Sequence, residues 1–260
     1  MRAQFQRLAL IVGNEGLDKL SKTRAMVFGL GGVGSWCAEA LVRSGLGEVV
    51  LVDSDAVCVT NINRQAQATT KTVGAFKADA LRDRLLEINP DCTIAVFNKV
   101  FSRETAAEFA LETTDYIVDA IDTLTHKLDL IELAAGLNKK IFSCMGMAQK
   151  LDPTQIRCAG IWESSGCPLA RLVRAGLRKR NYCGDLTVVY SKERLPPRGE
   201  IAPACGSLHC LCPPKSAAGA HEWCAAKKII NGSAVTVTAS AGMILASLVI
   251  NDALGEERPL

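Results

Sequence analysis

The stretch "FGLGGVGSWCAEALVRSG", residues 28–45, constrains the fold more than any other part of the chain. It follows the apolar run "RAMVF" and contains G-x-G-x-x-G as Gly29, Gly31 and Gly34, with Gly32 inside the turn. Ala38, Leu41 and Val42 then recur at helical spacing, so the pattern is strand, glycine turn, helix. Glycines there let the backbone approach a phosphate closely. The start of the following helix adds unpaired N–H groups and the positive end of its dipole. Asp53 ends the next apolar run, "EVVLVD", where a carboxylate can accept hydrogen bonds from ribose hydroxyls. Up to this point the fingerprint suits NAD or FAD as well as ATP.

The same alternation continues. "CTIAVF" (92–97), "DYIVDA" (115–120) and "KKIFSC" (139–144) read as strands. Helical patterns fill 74–89, stopped by Pro90, then 103–112 and 125–138. Strands alternating with helices predict an α/β, Rossmann-like, doubly wound and mostly parallel sheet. Beyond residue 150 come an extended segment in "DPTQIRCAGIW", a basic helix in "PLARLVRAGLRKR" (168–180) and a strand in "LTVVYS". Residues 192–224 are rich in Pro, Gly and Cys and read as a long loop. At 260 residues with no internal repeat, the simplest organisation is one domain over 1–260. Its nucleotide half is 1–150, and its elaborated, substrate-side half is 151–260 with the Cys-rich loop at about 192–228.

Residues outside the glycine turn decide the ligand. "DSDAVCVTNINRQ" places Asp55, Asn61 and Arg64 in a polar loop after the second strand, Lys77 opens a helix, and "DAID" places Asp119 and Asp122 after a later strand. Carboxyl ends of parallel strands are where such sheets bind ligands. Two cationic groups and a carboxylate suit hydride transfer poorly and a triphosphate well. Arg64 and Lys77 can neutralise phosphate oxygens. Asp122 can hold Mg²⁺, which takes one or two carboxylates plus phosphate oxygens. Each also has an ordinary reading on its own: Arg64 as a solvated loop residue, Lys77 as a helix-surface residue, Asp122 as a helix cap.

"GLGGVGS", "LVDSD", "TNINRQ", the lysine of "VGAFKAD" and "DAID", in that order over 29–123, resemble the ubiquitin-activating-type adenylating enzymes. The resemblance implies that Gly29, Gly31, Gly32, Gly34, Asp53, Asp55, Asn61, Arg64, Lys77 and Asp122 surround ATP and its Mg²⁺. It also implies a homodimer in which Arg7 reaches the partner's site. Arg7, Arg64, Lys77 and Asp122 are then the catalytic set. "QFQRLALIVGNEGLDKL", "LLEINPDC", "YIVDAIDT" and "DPTQI" bring the chain nearer to one branch, the tRNA threonylcarbamoyladenosine dehydratases. That branch implies ATP-dependent cyclisation of threonylcarbamoyladenosine at position 37 of ANN-decoding tRNA, by adenylation of its carboxylate and intramolecular ring closure. The alternative is an activator of a sulfur-carrier protein.

A tRNA substrate calls for a basic surface. Arg171, Arg174 and Arg178 fall on one face of the 168–180 helix, and Lys179 and Arg180 extend the charge. The net charge of +3 permits such a partner without requiring one. Cys205, Cys210, Cys212 and Cys224, spaced C-x4-C-x-C-x11-C, form an imperfect zinc signature. Reduced thiols, a structural metal, or a thiol relay serving sulfur-transfer partner proteins all remain open for them. The N-terminal stretch carries no secretory pattern, so the eleven cysteines read as thiols of a cytoplasmic protein. "AVTVTASAGMILASLVI" (234–250) falls short of the roughly 20 residues of a spanning helix and is expected in the core rather than inserted in a membrane.

Overall fold

The alternation of apolar runs and amphipathic stretches becomes a layered sheet. The computed structural model describes residues 3–196, 199 and 231–256. Its elements are α1 (Gln6–Lys22), β1 (Arg24–Phe28), α2 (Gly34–Arg43), β2 (Glu48–Val52), α3 (Lys77–Ile88), β3 (Thr93–Phe97) and β4 (Tyr116–Asp119). There follow α4 (Leu124–Gly136), β5 (Lys140–Cys144), β6 (Ile156–Gly160), α5 (Pro168–Lys179), β7 (Thr187–Ser191) and α6 (Val235–Leu254). The strand order is β3-β2-β1-β4-β5-β7-β6. Every pairing is parallel except that of β6 with β7. The chain leaves β1 toward β2 and β3, then returns to β4 on the other flank. The switch point, where such sheets bind ligands, therefore lies beyond the carboxyl ends of β1 and β4.

Strand side chains alternate between two cores. Ala25 and Val27 face the layer built by α2, α3 and α6, while Met26 and Phe28 face α4 and α5. Val237, Ala241, Leu245 and Val249 of α6 are fully buried at i, i+4, i+8 and i+12. Each large side chain so buried contributes about 1.5–3 kcal/mol. At Gly242 a Cβ would lie 2.5 Å from Val33 O, so glycine lets α6 close onto the start of α2. The 234–250 segment is thus a core helix, extended at its far end to Leu254. By length and composition alone it would be long and apolar enough to cross a membrane.

One expected helix is absent. Residues 103–112 form two short 3₁₀ turns, Ala106–Phe109 and Leu111–Thr113, separated by Ala110 at φ 49°. Both Phe109 and Leu111 are buried, and a continuous helix would send residues two apart to different faces. Phe109 instead joins Phe28, Phe97 and Phe101, with ring centroids 5.1–5.7 Å away.

Candidate active site

The glycine turn is shaped by close approach on one side and openness on the other. Gly29 has φ +85°, and a Cβ there would sit 2.7 Å from Ala120 O, so the turn after β1 lies against the loop after β4. A Cβ on Gly34 would stand 1.9 Å from Gly29 O, which forces glycine at the start of α2. Gly31 differs: nothing lies within 4 Å of its Cβ direction. Its open backbone, beside a helix whose first turn has no side-chain cap, suits an approaching phosphate.

Asp53 is the organiser of this turn. Its Oδ2 accepts from Leu30 N at 2.7 Å and its Oδ1 from Asp55 N at 2.8 Å. Lys77 Nζ lies 2.7 Å from Asp55 Oδ2 and 3.6 Å from Asp53 Oδ1. Lys77 is therefore buried at the first turn of α3, not on the helix surface. Burial opposes its charge, but Asp53, Asp55 and Asp122 outweigh burial and hold the ammonium above the usual lysine range. Asn61 is buried and closes the loop that precedes Arg64, its Oδ1 accepting from Cys58 N at 2.9 Å.

Arg64 crosses the turn. A Cβ on Gly32 would meet Arg64 Cγ at 3.2 Å and Thr238 of α6 at 3.0 Å. Burial pulls the Arg64 guanidinium below its usual value, with Cys58 and Asp122 opposing. Asp122 is exposed, and its charge acts on both Arg64 and Lys77. The fold thus gathers the glycine turn, Asp53, Asp55, Asn61, Arg64, Lys77 and Asp122 at the switch point. The donor set fits a nucleotide triphosphate with a divalent cation: open N–H groups, two cationic side chains and an exposed carboxylate.

Arg7 does not join them within one chain. It is exposed on the first turn of α1. Its neighbours Gln4 and Phe5 pack on Asn89, just before β3, and Gly45, just before β2, at the amino ends of the strands and so at the end of the sheet opposite the glycine turn.

The basic helix divides. Arg174 Nη1 donates to Ser164 O at 2.7 Å, and Arg180 Nη1 to Asp129 and Glu132 at 2.7 Å each. Both arginines are engaged within the fold, which distinguishes them from the other three cations expected to meet tRNA. Arg171 and Lys179 are exposed, and Arg178 is exposed over the Trp162 ring at 5.4 Å. Cys205, Cys210, Cys212 and Cys224 lie outside the described residues. Leu195 N donates to Gln149 O at 3.3 Å and Gln149 N donates to Gly232 O at 2.9 Å, so the two described ends flanking that stretch meet at one residue.

Two networks escaped the sequence reading. Lys127 and Asp119 are both fully buried, with Nζ 2.7 Å from Oδ2, and Ser143 Oγ donates to the same oxygen at 2.6 Å. Asp119 Oδ1 accepts from Ile121 N at 3.1 Å, which fixes the loop carrying Asp122. A lysine followed by the apolar run "LDLIELAA" was the available signal. In "KLDPTQI", Glu193 Oε2 accepts from Leu151 N and Asp152 N at 2.9 Å, and Lys150 Nζ donates to Ser191 O at 3.2 Å. This motif latches the exit of β7.

Fold and site together define a nucleotide-binding α/β protein equipped for triphosphate chemistry. A family model described as the ThiF family matches residues 3–259, and the chain belongs to that family. It is similar to the tRNA threonylcarbamoyladenosine dehydratase of Bacillus subtilis (strain 168), 40% identical over 193 residues, 74% of this chain and 76% of the relative. The enzyme of the same name from Haemophilus influenzae (strain ATCC 51907 / DSM 11121 / KW20 / Rd) is 34% identical over 256 residues, covering 96% and 93%. The crystal structure of Escherichia coli tRNA N6-threonylcarbamoyladenosine dehydratase in complex with ATP superposes with a TM-score of 0.82 at 29% identity, covering 98% and 95%.

Proposed function

We propose that the chain is an ATP-dependent tRNA threonylcarbamoyladenosine dehydratase, which adenylates the threonylcarbamoyl carboxylate and releases pyrophosphate, then AMP on ring closure. The observation that carries this reading is the convergence of Arg64, Lys77 and Asp122 on the open Gly31 turn. A carboxylate is a poor electrophile, and its mixed anhydride with AMP is a good one. Closure by a group of the same side chain is intramolecular and favoured by proximity. The protein's task is then to position groups and to stabilise phosphate charge. Gly31 and the start of α2 offer N–H groups to the phosphates. Lys77 stays charged because carboxylates face it, and Arg64 offers a guanidinium fork.

Asp122 is the residue that would hold Mg²⁺, which when bound neutralises phosphate oxygens. Arg171, Arg178 and Lys179 form the face we assign to tRNA. The working unit we infer is a homodimer. Leu10 and Ile11 of α1 are 85% and 81% exposed, and a groove of about 530 Å³ runs between Trp36 and Val235, Met243 and Ile244 of α6. Such apolar exposure suits a second copy, which would also supply Arg7. Such a protein works where its tRNA is, in the cytoplasm.

The test is nucleoside mass spectrometry of threonylcarbamoyl-modified tRNA incubated with the protein. Loss of one water that requires ATP is expected. No change on tRNA, with AMP transferred instead to a small carrier protein, would replace this reading with the carrier-activating one.

A further inference from the structure

Asn63 has no assigned part in the site, yet it holds the arginine that does. Its Oδ1 accepts from Arg64 Nη1 at 2.9 Å, and its Nδ2 donates to Ser233 O at 2.9 Å. The same Nη1 also donates to Thr60 O at 2.9 Å. Trp36 Nε1 donates to Arg64 O at 2.9 Å, which pins the main chain. The Arg64 stem lies against Gly32, where even a Cβ would come within 3.2 Å of it. Backbone, stem and one guanidinium nitrogen are thus each fixed by a different neighbour. No partner among the described residues occupies Nε or Nη2.

We propose that Asn63 is a positioning residue: it aims the free edge of the Arg64 guanidinium at the β- and γ-phosphates of ATP, and it ties that aim to the start of α6 through Ser233. The inference rests on the nucleotide site proposed above. A free arginine has many rotamers, and ordering one on binding opposes affinity. Asn63 supplies that order beforehand, as preorganised sites do. Its amide suits the task because one end accepts from a guanidinium while the other donates to a carbonyl. Ser233 lies two residues before α6, and Thr238 of that helix touches the glycine turn. Asn63 therefore bridges two walls of the same site. AMP lacks both outer phosphates, so it is blind to where Arg64 points.

The experiment measures ATP and AMP affinity by titration calorimetry in the absence of tRNA, on the full chain. Asn63→Ala is expected to weaken ATP on the order of tenfold while leaving AMP affinity and the melting temperature unchanged. In an Arg64→Ala background, which itself weakens ATP, Asn63→Ala should add nothing. Asn63→Asp keeps an acceptor for Arg64 and removes the donor to Ser233, so an intermediate loss is expected. Equal losses for ATP and AMP would mark Asn63 as merely structural and overturn the proposal. So would an undiminished Asn63→Ala effect in the Arg64→Ala background, or normal ATP binding by Asn63→Ala when Arg64→Ala is impaired. ATP affinity unchanged by Arg64→Ala would overturn the parent reading of the site, and this inference with it. Wild-type ATP affinity in Asn63→Asp would remove the tie to α6.

Discussion

Lys127 Nζ stands 2.7 Å from Oδ2 of Asp119, the residue three positions before Asp122, with both side chains wholly out of solvent. The pair is completed by Ser143 Oγ and by Cys144 O, which accepts from Nζ at 3.0 Å. Removing one partner of a buried pair strands the other charge, at a cost of about 3–5 kcal/mol. Lys127→Met should therefore lower the unfolding free energy, measured by urea denaturation, by that amount. A loss below about 1 kcal/mol would show that Asp119 finds other compensation.

Two glycines of one turn should fail differently. Gly34→Ala places a methyl 1.9 Å from Gly29 O and must displace the turn itself, so thermal stability and nucleotide binding should fall together. Gly31→Ala meets no protein atom within 4 Å. It should fold with stability within about 1 kcal/mol of the parent, the ordinary range for a glycine-to-alanine change. It should nonetheless lose most ATP affinity, because the methyl occupies the phosphate's approach. Normal ATP binding by Gly31→Ala would place the phosphates elsewhere.

Glu39 of α2 pairs with Arg84 of α3 and with Arg43, which gives a prediction for the acid limb of stability. Its side chain is 3% exposed and takes 2.6 Å and 2.8 Å contacts from Arg84 and Arg43. Burial alone would raise the carboxyl, but the two guanidinium groups outweigh it and hold it below the usual glutamate range. A folded value below the unfolded one means that stability is present above about pH 4.3 and lost as pH falls through the depressed folded value. Glu39→Gln should be less stable at neutral pH and should flatten the decline between neutral and strongly acidic solution, as followed by urea titrations across that range. An unchanged acid limb would show that other carboxylates set it.

The two classes of cation on α5 give a tRNA prediction. Arg171→Glu with Lys179→Glu should weaken tRNA binding and reduce its salt dependence by about one unit of slope per lost phosphate contact, with stability intact. Arg174→Gln should act through stability, since its guanidinium donates to Ser164 O at 2.7 Å. Filter binding across a salt series checks this, and an unchanged slope in the double variant would move the tRNA surface off α5.

The strands and the ligand loop were legible because their signals are local. The apolar runs before the glycine turn, Asp53 and "DAID" specify strand ends through sequence period and turn chemistry alone. The open space at Gly31 and the clash at Gly34 were not legible, because one motif letter covers two opposite environments. Nor was the division of α5: Arg174 and Arg178 look alike in sequence, and only the fold places Ser164 before one and Trp162 under the other. Lys77 is the reverse case. Its burial follows from Asp53 and Asp55, 24 and 22 residues earlier, meeting it across the turn.

Arg7 poses the sharpest geometric question, because within one chain it lies toward the amino ends of the strands, at the opposite end of the sheet from the glycine turn. If it acts on the partner's nucleotide, Arg7→Ala and Arg64→Ala damage different halves of a shared site. Each homodimer alone should be inactive. Mixed after dissociation and reassembly, the two variants form hybrids in which the Arg7→Ala chain keeps its own Arg64 and receives an intact Arg7 from its partner. One site of two is restored in each hybrid, and random pairing makes half the dimers hybrids. Activity should therefore recover to about a quarter of the parental value, as expected for a two-fold assembly. If Arg7 acted within its own chain, every site in the hybrid would lack one arginine, and mixing would restore nothing.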